Sequence, residues 1–203
     1  YVVNQVCGSG LRSIANGYQS IISNDAKIVV AGGQESMTNA PHSISFRNDK
    51  KLDESKLVDT MMKDGLWDAF NGYHMGVTAE NVAEKWKITR KEQDNFALSS
   101  QIKTEKAQKK GNFKKEIICI KKFEIDEHPR NGTTIEKLEK LKPSFKSKGT
   151  VTPGNASGIN DGAAAVILME EREAEKRGLK PLARIVSWAT CGVDPALMGS
   201  GPI

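Results

Sequence analysis

The 203-residue chain is short of several things, and each shortage closes off a class of protein. It has three cysteines, Cys7, Cys119 and Cys191, far apart and without a Cys-x-x-Cys pair. That argues against a disulfide framework or a cysteine zinc site, and it fits a reducing, cytoplasmic compartment. The three histidines, His42, His74 and His128, have no ligand spacing with one another or with a cysteine, so no metal site is expected. The longest uninterrupted apolar run is Ala163 to Met169, far below the roughly 20 residues of a membrane helix. No membrane partner is expected, and no basic-then-apolar leader opens the chain. Zinc-finger spacing, an RNP-like strand, a basic helix followed by heptads and internal repeats are all missing, so nucleic acid is not an expected partner. An initiator Met is missing too. The chain opens on Tyr1-Val2-Val3 and stops at Gly201-Pro202-Ile203, which reads as a segment of a longer protein.

What is present is ordinary globular composition, 38% hydrophobic and 27% charged, with enough length for a sizeable core. The net charge of +5 is uneven. Lys103 to Lys148 holds 13 Lys and Arg130 against seven acids, so the remainder is slightly acidic. Such a basic stretch is either a solvated face or a place to meet the phosphates of a cofactor-sized ligand.

The pattern along the chain is α/β. Val2 to Val6 reads as a strand, Leu11, Ile14, Ala15, Tyr18 and Ile22 as one face of a helix, and Lys27 to Ala31 as a second strand ending at Gly32-Gly33. That is a βαβ unit, whose strands are expected to lie parallel. From about Met37 the texture becomes polar and irregular. Thr78 to Trp86 reads as a helix with Ala79, Val82, Ala83 and Trp86 inward. Thr89-Arg90-Lys91-Glu92 has capping-box spacing and opens a helix that Gly111 ends. Ile117 to Ile120 and the region of Phe123 read as strand, Asn131-Gly132 as a turn. Ala163 to Met169 reads as a buried strand, Glu170 to Arg177 as a helix stopped by Gly178, and Leu182 to Ala189 as a further strand.

Cys7 is the sharpest chemical feature. It stands between a strand and a helix, followed by Gly8-Ser9-Gly10, so the turn is tight and the sulfur uncrowded. A helix start favours the thiolate form of a cysteine, the form that acts as nucleophile. The bland alternative is a small buried hydrophobe. Ser13 stands where a dinucleotide-binding glycine motif needs its third Gly, which weakens that reading. Cys119 between Ile118 and Ile120 is expected on a core face, and Cys191 at a strand end is expected to be structural. His74, flanked by Gly72 and Gly76, is either a pocket residue or a hydrogen-bonded structural one.

Several stretches together are more specific. Asn4 to Leu11 (NQVCGSGL), Val30 to Met37 (VAGGQESM), Gly72 to Asn81 (GYHMGVTAEN), Gly154 to Ala164 (GNASGINDGAA), Ser187 to Ala189 and Met198 to Pro202 resemble the thiolase family, in order and across essentially the whole chain. Gly8 and the His74-Met75 pair favour its acetoacetyl-CoA thiolase (acetyl-CoA acetyltransferase) branch.

The resemblance implies a partial thiolase fold. Residues 1–36 and 160–180 would belong to an incomplete N-terminal half. Residues 37–159 would form a CoA-binding loop domain with a tetramerisation loop at about 42–62, and 181–203 would begin the C-terminal half. It implies that Cys7 accepts the acyl group and that its backbone N–H helps hold an oxyanion. It implies that Leu66, His74, Met75, Arg130, Phe145, Ser157, Ile159 and Met198 line the CoA site. Arg130 would lie at the nucleotide end, Ser157 on the pantetheine arm, and His74 and Met75 at the reactive end. CoA is then substrate and product, no separate cofactor is needed, and the expected partners are acetyl-CoA, acetoacetyl-CoA and further copies of the chain in a homotetramer.

The sequence also departs from the family. The Phe123–Arg130 turn is several residues short of the common length. The family's second cysteine, its Gly-His-Pro histidine and its Asn-Glu-Ala-Phe loop do not occur in the 203 residues, and Cys119 and Cys191 do not match the second cysteine's motif. The chain alone is therefore expected to be inactive. A longer-chain 3-ketoacyl-CoA thiolase, a ketoacyl synthase and a non-catalytic acyl-CoA-binding relative are the alternatives.

Overall fold

The computed structural model describes residues 1–47, 51 and 53–203. In chain order the elements are α1 (Ser9–Ile22), β1 (Ile28–Glu35), β2 (His42–Ser43), a 3-10 turn (Glu54–Lys56) and β3 (Val58–Asp59). A π-helical turn (Met61–Leu66), β4 (Trp67–Asp68), β5 (Tyr73–His74), α2 (Met75–Lys85), α3 (Arg90–Lys109) and α4 (Ile135–Glu139) follow. The last are β6 (Gly162–Met169), α5 (Glu171–Lys176) and a second 3-10 turn (Pro195–Ser200). The chain divides into two compact units, Tyr1–Met61 with Ile159–Cys191, and Met62–Gly158 with Gly192–Ile203. This partition is by contact, whereas the division at 37, 160 and 181 is by family resemblance. Residues 48–50 and 52 of the expected tetramerisation loop, about 42–62, lie outside the described residues. Among the described residues no helix is long and apolar enough to cross a membrane.

In the first unit α1 lies on a two-stranded sheet. Its buried residues are Ala15, Gly17 and Ile21, of which Gly17 and Ile21 share one face. Contact is close at Gly17, where a Cβ would stand 2.8 Å from Leu168 Cδ1 and 3.0 Å from Val29 Cγ1. The Ser13 hydroxyl, in the position that weakens a dinucleotide motif, reaches the carbonyl of Gly32 at 2.8 Å and so ties α1 to β1. The helix ends where Asn24 takes a left-handed φ of 62°.

Several expectations need correction here. Leu11 and Ile22, expected inside, are 78% and 60% exposed, because the stripe that meets the sheet runs through Ser13 and Gly17, on the other side of the helix. Val2 to Val6 forms no strand, since within the described residues it finds no ladder partner beyond an isolated Gln5–Cys7 bridge. Among the described residues no parallel βαβ unit forms. β1 runs on through Gly32-Gly33 to Glu35 and pairs antiparallel with β6, from Ile28 opposite Met169 to Glu35 opposite Gly162. β6 is not buried either. A continuous apolar run signals a strand covered on both faces, but here α1 covers one, and Ile167 is 65% exposed. Leu182 to Ala189 forms no strand. Trp188 instead meets Tyr18 edge-on at 5.1 Å. The α5 helix forms as expected and ends at Gly178, φ 65°.

In the second unit the β4–β5 hairpin, with Trp67 opposite His74, turns through Gly72 at φ 74°. The Asp68 carboxylate accepts from the Phe70 and Asn71 N–H groups across that turn. α2 starts three residues earlier than the apolar spacing suggests, because the His74 side chain caps it. Its buried positions are Gly76, Thr78, Glu80 and Ala83, whereas Trp86 is 49% exposed. α3 has the expected capping box, with Thr89 Oγ1 accepting from the Glu92 N–H and the Glu92 carboxylate accepting from the Thr89 N–H. It gives way to Gly111 at φ 69°. Ile117 to Ile120 is not a strand. One bridge, Ile120 to Phe123, closes a tight turn, and Cys119 is exposed rather than on a core face.

Candidate active site

Cys7 is exposed and stands two residues before α1. The turn that presents it is strained. Val6 has φ 49°, a left-handed conformation that a β-branched residue avoids. Strain of that kind persists only where the surroundings over-determine it, and here they do. The Ser9 hydroxyl accepts from the Gln5 N–H at 2.8 Å and donates to the Val6 carbonyl at 2.7 Å. Asn4 Oδ1 accepts from the Val6 N–H at 2.8 Å, and the Gly8 N–H donates to the Gln5 carbonyl at 3.0 Å. The small residues after Cys7 thus have specific work: Ser9 locks the turn, and Gly8 packs close to Gln5. Ile159 is also exposed in this unit. Two residues on, the Asp161 carboxylate accepts from the Thr38 N–H at 2.9 Å, and such backbone donation holds it below its ordinary 3.8.

The second unit holds the other candidates. His74, Met75 and Phe145 come together. The His74 ring stacks on Phe145 with centroids 4.7 Å apart and 17° between planes. Phe145 can lie there because Gly76 has no side chain, and a Cβ at Gly76 would collide with its ring. His74 Nδ1 accepts from the Gly76 N–H at 2.9 Å, so the neutral ring carries its proton on Nε2. Burial pushes the imidazole below its ordinary 6.5. Leu66 closes the π-helical turn just before Trp67, the residue paired with His74. Met198 lies in the 3-10 turn that packs on α2, where Asn81 Nδ2 donates to the Ala196 carbonyl at 3.1 Å. Arg130 is anchored elsewhere, its N–H donating to Gln101 of α3 at 2.9 Å. The exposed Ser157 hydroxyl makes one long contact, 3.3 Å to the Gly158 carbonyl.

A groove of about 670 Å³ runs along α3, lined by Phe96, Gln101, His128, Pro129 and Asn155 among others, and none of the candidate residues lines it. Among the described residues no three His, Cys, Asp or Glu side chains are placed to hold a metal ion. Sequence reasoning passed over Glu80, Asp94 and Asn155, whose buried polar network fixes the chain leading to Ser157. One signal for Glu80 was available: it shares a helical stripe with Gly76 and Ala83, so a charge was facing inward.

The family profile described as "Thiolase, N-terminal domain" matches residues 1–172. The chain is 58% identical to the acetyl-CoA acetyltransferase of Rhizobium meliloti (strain 1021), covering 99% of this chain and 53% of that protein. It is 52% identical to the cytosolic acetyl-CoA acetyltransferase of Mus musculus, over 98% of this chain and 52% of that one. The crystal structure of Bacillus anthracis acetyl-CoA acetyltransferase superposes with a TM-score of 0.89 at 41% identity, over 98% of this chain and 52% of that one. Human mitochondrial 3-ketoacyl-CoA thiolase in complex with CoA gives 0.88 at 43%, over 97% and 51%. The chain therefore spans about half the length of the curated relatives it matches.

Proposed function

Because the chain belongs to the thiolase family and has its fold in part, we propose that it is the portion of an acetyl-CoA acetyltransferase that carries the acyl-accepting cysteine. The observation that carries this reading is that Cys7 is exposed on a strained turn locked by Ser9 at the start of α1.

The chemistry is ping-pong. The Cys7 sulfur attacks the thioester carbonyl of acetyl-CoA, and its proton passes to a base. The tetrahedral oxyanion is stabilised by N–H donors, the Cys7 N–H among them. The carbon–sulfur bond to CoA then breaks, and CoA leaves with a proton as the free thiol. A second acetyl-CoA gives its α-proton to a base, and its carbanion attacks the acetyl carbonyl on Cys7. The new carbon–carbon bond forms, the Cys7 thioester breaks, and acetoacetyl-CoA leaves. Thiolysis is the reverse. The base and the second cysteine that the family uses are supplied from outside these 203 residues.

His74 and Met75 meet the reactive end, and Nε2–H is the donor His74 has to offer. Leu66, Phe145 and Met198 offer apolar surface to the arm. Ser157 meets the pantetheine arm and Arg130 the phosphates. The assembled enzyme is a cytoplasmic homotetramer joined through the loop at about 42–62.

The test uses the full-length polypeptide carrying this chain. Cys7→Ser is expected to lower acetoacetyl-CoA formation by at least about a thousandfold and to abolish the acetyl adduct on the Cys7 peptide, while the 203-residue chain alone gives no condensation. Turnover retained in Cys7→Ser refutes the assignment. A second reading, a thiolase for longer 3-ketoacyl-CoA chains, draws support from the equally good superposition on the human 3-ketoacyl-CoA thiolase. Thiolysis rates on acetoacetyl-CoA and on a longer 3-ketoacyl-CoA separate the two.

A further inference from the structure

Ser157 hangs from a loop whose position is set by two buried carboxylates on two helices. Glu80 of α2 is 5% exposed, yet its side chain turns away from its own helix. The carboxylate accepts from the Thr150 N–H at 3.0 and 2.9 Å, from the Thr150 hydroxyl at 3.0 Å and from the Val151 N–H at 2.9 Å. The loop is pressed on it so closely that a Cβ at Gly149 would collide with the carboxylate. The Thr150 hydroxyl also accepts from Gln93 of α3 at 2.9 Å.

Farther along, Asn155 Nδ2 donates to Asp94 Oδ1 at 2.9 Å and to the Thr150 carbonyl at 3.0 Å, while its Oδ1 accepts from the Thr152 N–H at 2.8 Å. Asp94 is fully buried, and its other oxygen accepts from Arg90 Nε at 2.7 Å. The remaining end of Arg90 donates to the Leu138 carbonyl of α4. Charge-assisted bonds in a dry interior are short and stiff. They fix the chain up to Asn155, two residues before a serine that has almost no partners of its own.

We propose that Glu80 and Asp94 are positioning residues that hold the Ser157 loop in register for the pantetheine arm of a CoA thioester. The inference rests on the function proposed above. It goes beyond it by assigning recognition of the carrier, rather than the acyl group, to carboxylates that touch neither.

The test uses the full-length polypeptide and two near-isosteric variants, Glu80→Gln and Asp94→Asn, with two acetyl donors. These are acetyl-CoA and the acetyl thioester of N-acetylcysteamine, which lacks the nucleotide and most of the arm. KM for acetyl-CoA is expected to rise about tenfold with kcat nearly unchanged, the signature of lost uniform binding, while kcat/KM for the short thioester stays the same. In a Ser157→Ala background Glu80→Gln is expected to add little, because its effect passes through that residue.

An unchanged KM in a cooperatively folding variant, or equal losses on both donors, overturns the inference. If one variant fails to fold, the other decides; if neither folds, the carboxylates are purely structural and the inference falls. A wild-type protein that transfers no acetyl group from acetyl-CoA sinks the parent function, whereas a wild type that does so, with variants that do not separate the donors, sinks only this step.

Discussion

His74 uses one ring nitrogen to cap a helix, and that has a cost at acid pH. Nδ1 accepts from the Gly76 N–H, and the ring face is covered by Phe145. The acceptor role requires Nδ1 without its proton, and burial lowers the proton affinity of the ring below the ordinary 6.5. Just below that pH the unfolded chain binds a proton that the folded chain refuses. Stability therefore rises with pH across this window, is fully present above 6.5, and is lost as pH falls below it. The thermal midpoint of the native protein is expected to drop between about pH 7.5 and about pH 5.5, and His74→Asn, which keeps a capping oxygen but cannot titrate, is expected to remove that part of the slope. Identical pH profiles for the two proteins would show that the ring is free to protonate where it sits. The same residue illustrates what a pattern of letters leaves open. Two flanking glycines singled out His74, but they serve different ends: Gly72 makes the hairpin turn, and Gly76 makes room for Phe145.

At the scale of elements, α3 depends on its own ends. Of its 20 residues only Asp94 is buried, so packing contributes little over most of its length, and local terms decide whether it forms. The capping box is the largest of these, with the solvent-screened Glu105–Lys109 pair at 2.6 Å adding less near the other end. Thr89→Ala is expected to cost about 1 kcal/mol and to speed hydrogen exchange at the Glu92 amide more than in the middle of the helix; exchange that is unchanged at Glu92 would mean the side chains are not holding the first turn. That element was legible because its signals lie within four residues of one another. The stops at Gly111 and Gly178 were legible for the same reason, and so was the tight turn at Cys7. The pairing of β1 with β6 was not. An alternating or continuous apolar run marks a strand but does not name its neighbour, and here the neighbour is not the segment before α1. The Glu80 and Asp94 network was also hidden, because the burial of a carboxylate is decided by the loop folded over it rather than by the letters around it.

Along the whole chain many large apolar side chains stay in water, Val2, Phe70, Phe96 and Ile118 among them. In the first unit one such surface has an address. Val29 and Leu168, paired across the sheet, turn toward Gly17 of α1, and the next pair, Val30 and Ile167, turns the other way. Nothing among the described residues covers that second face: Val30 is 71% and Ile167 65% exposed. A two-stranded sheet is marginal in water by itself, and a flat apolar strand pair is a template for further pairing. Expressed alone, the 203-residue polypeptide is therefore expected to bind a hydrophobic dye such as ANS and to associate as concentration rises, read by dye fluorescence and light scattering. Ile167→Lys is expected to reduce both. The substitution adds charge to the uncovered face and leaves the Leu168 contact with α1 in place, so a loss of helix on circular dichroism would signal damage to α1 rather than relief of association. A polypeptide that stays monomeric and dark to the dye at high concentration would mean that this face is closed in solution by contacts other than those described.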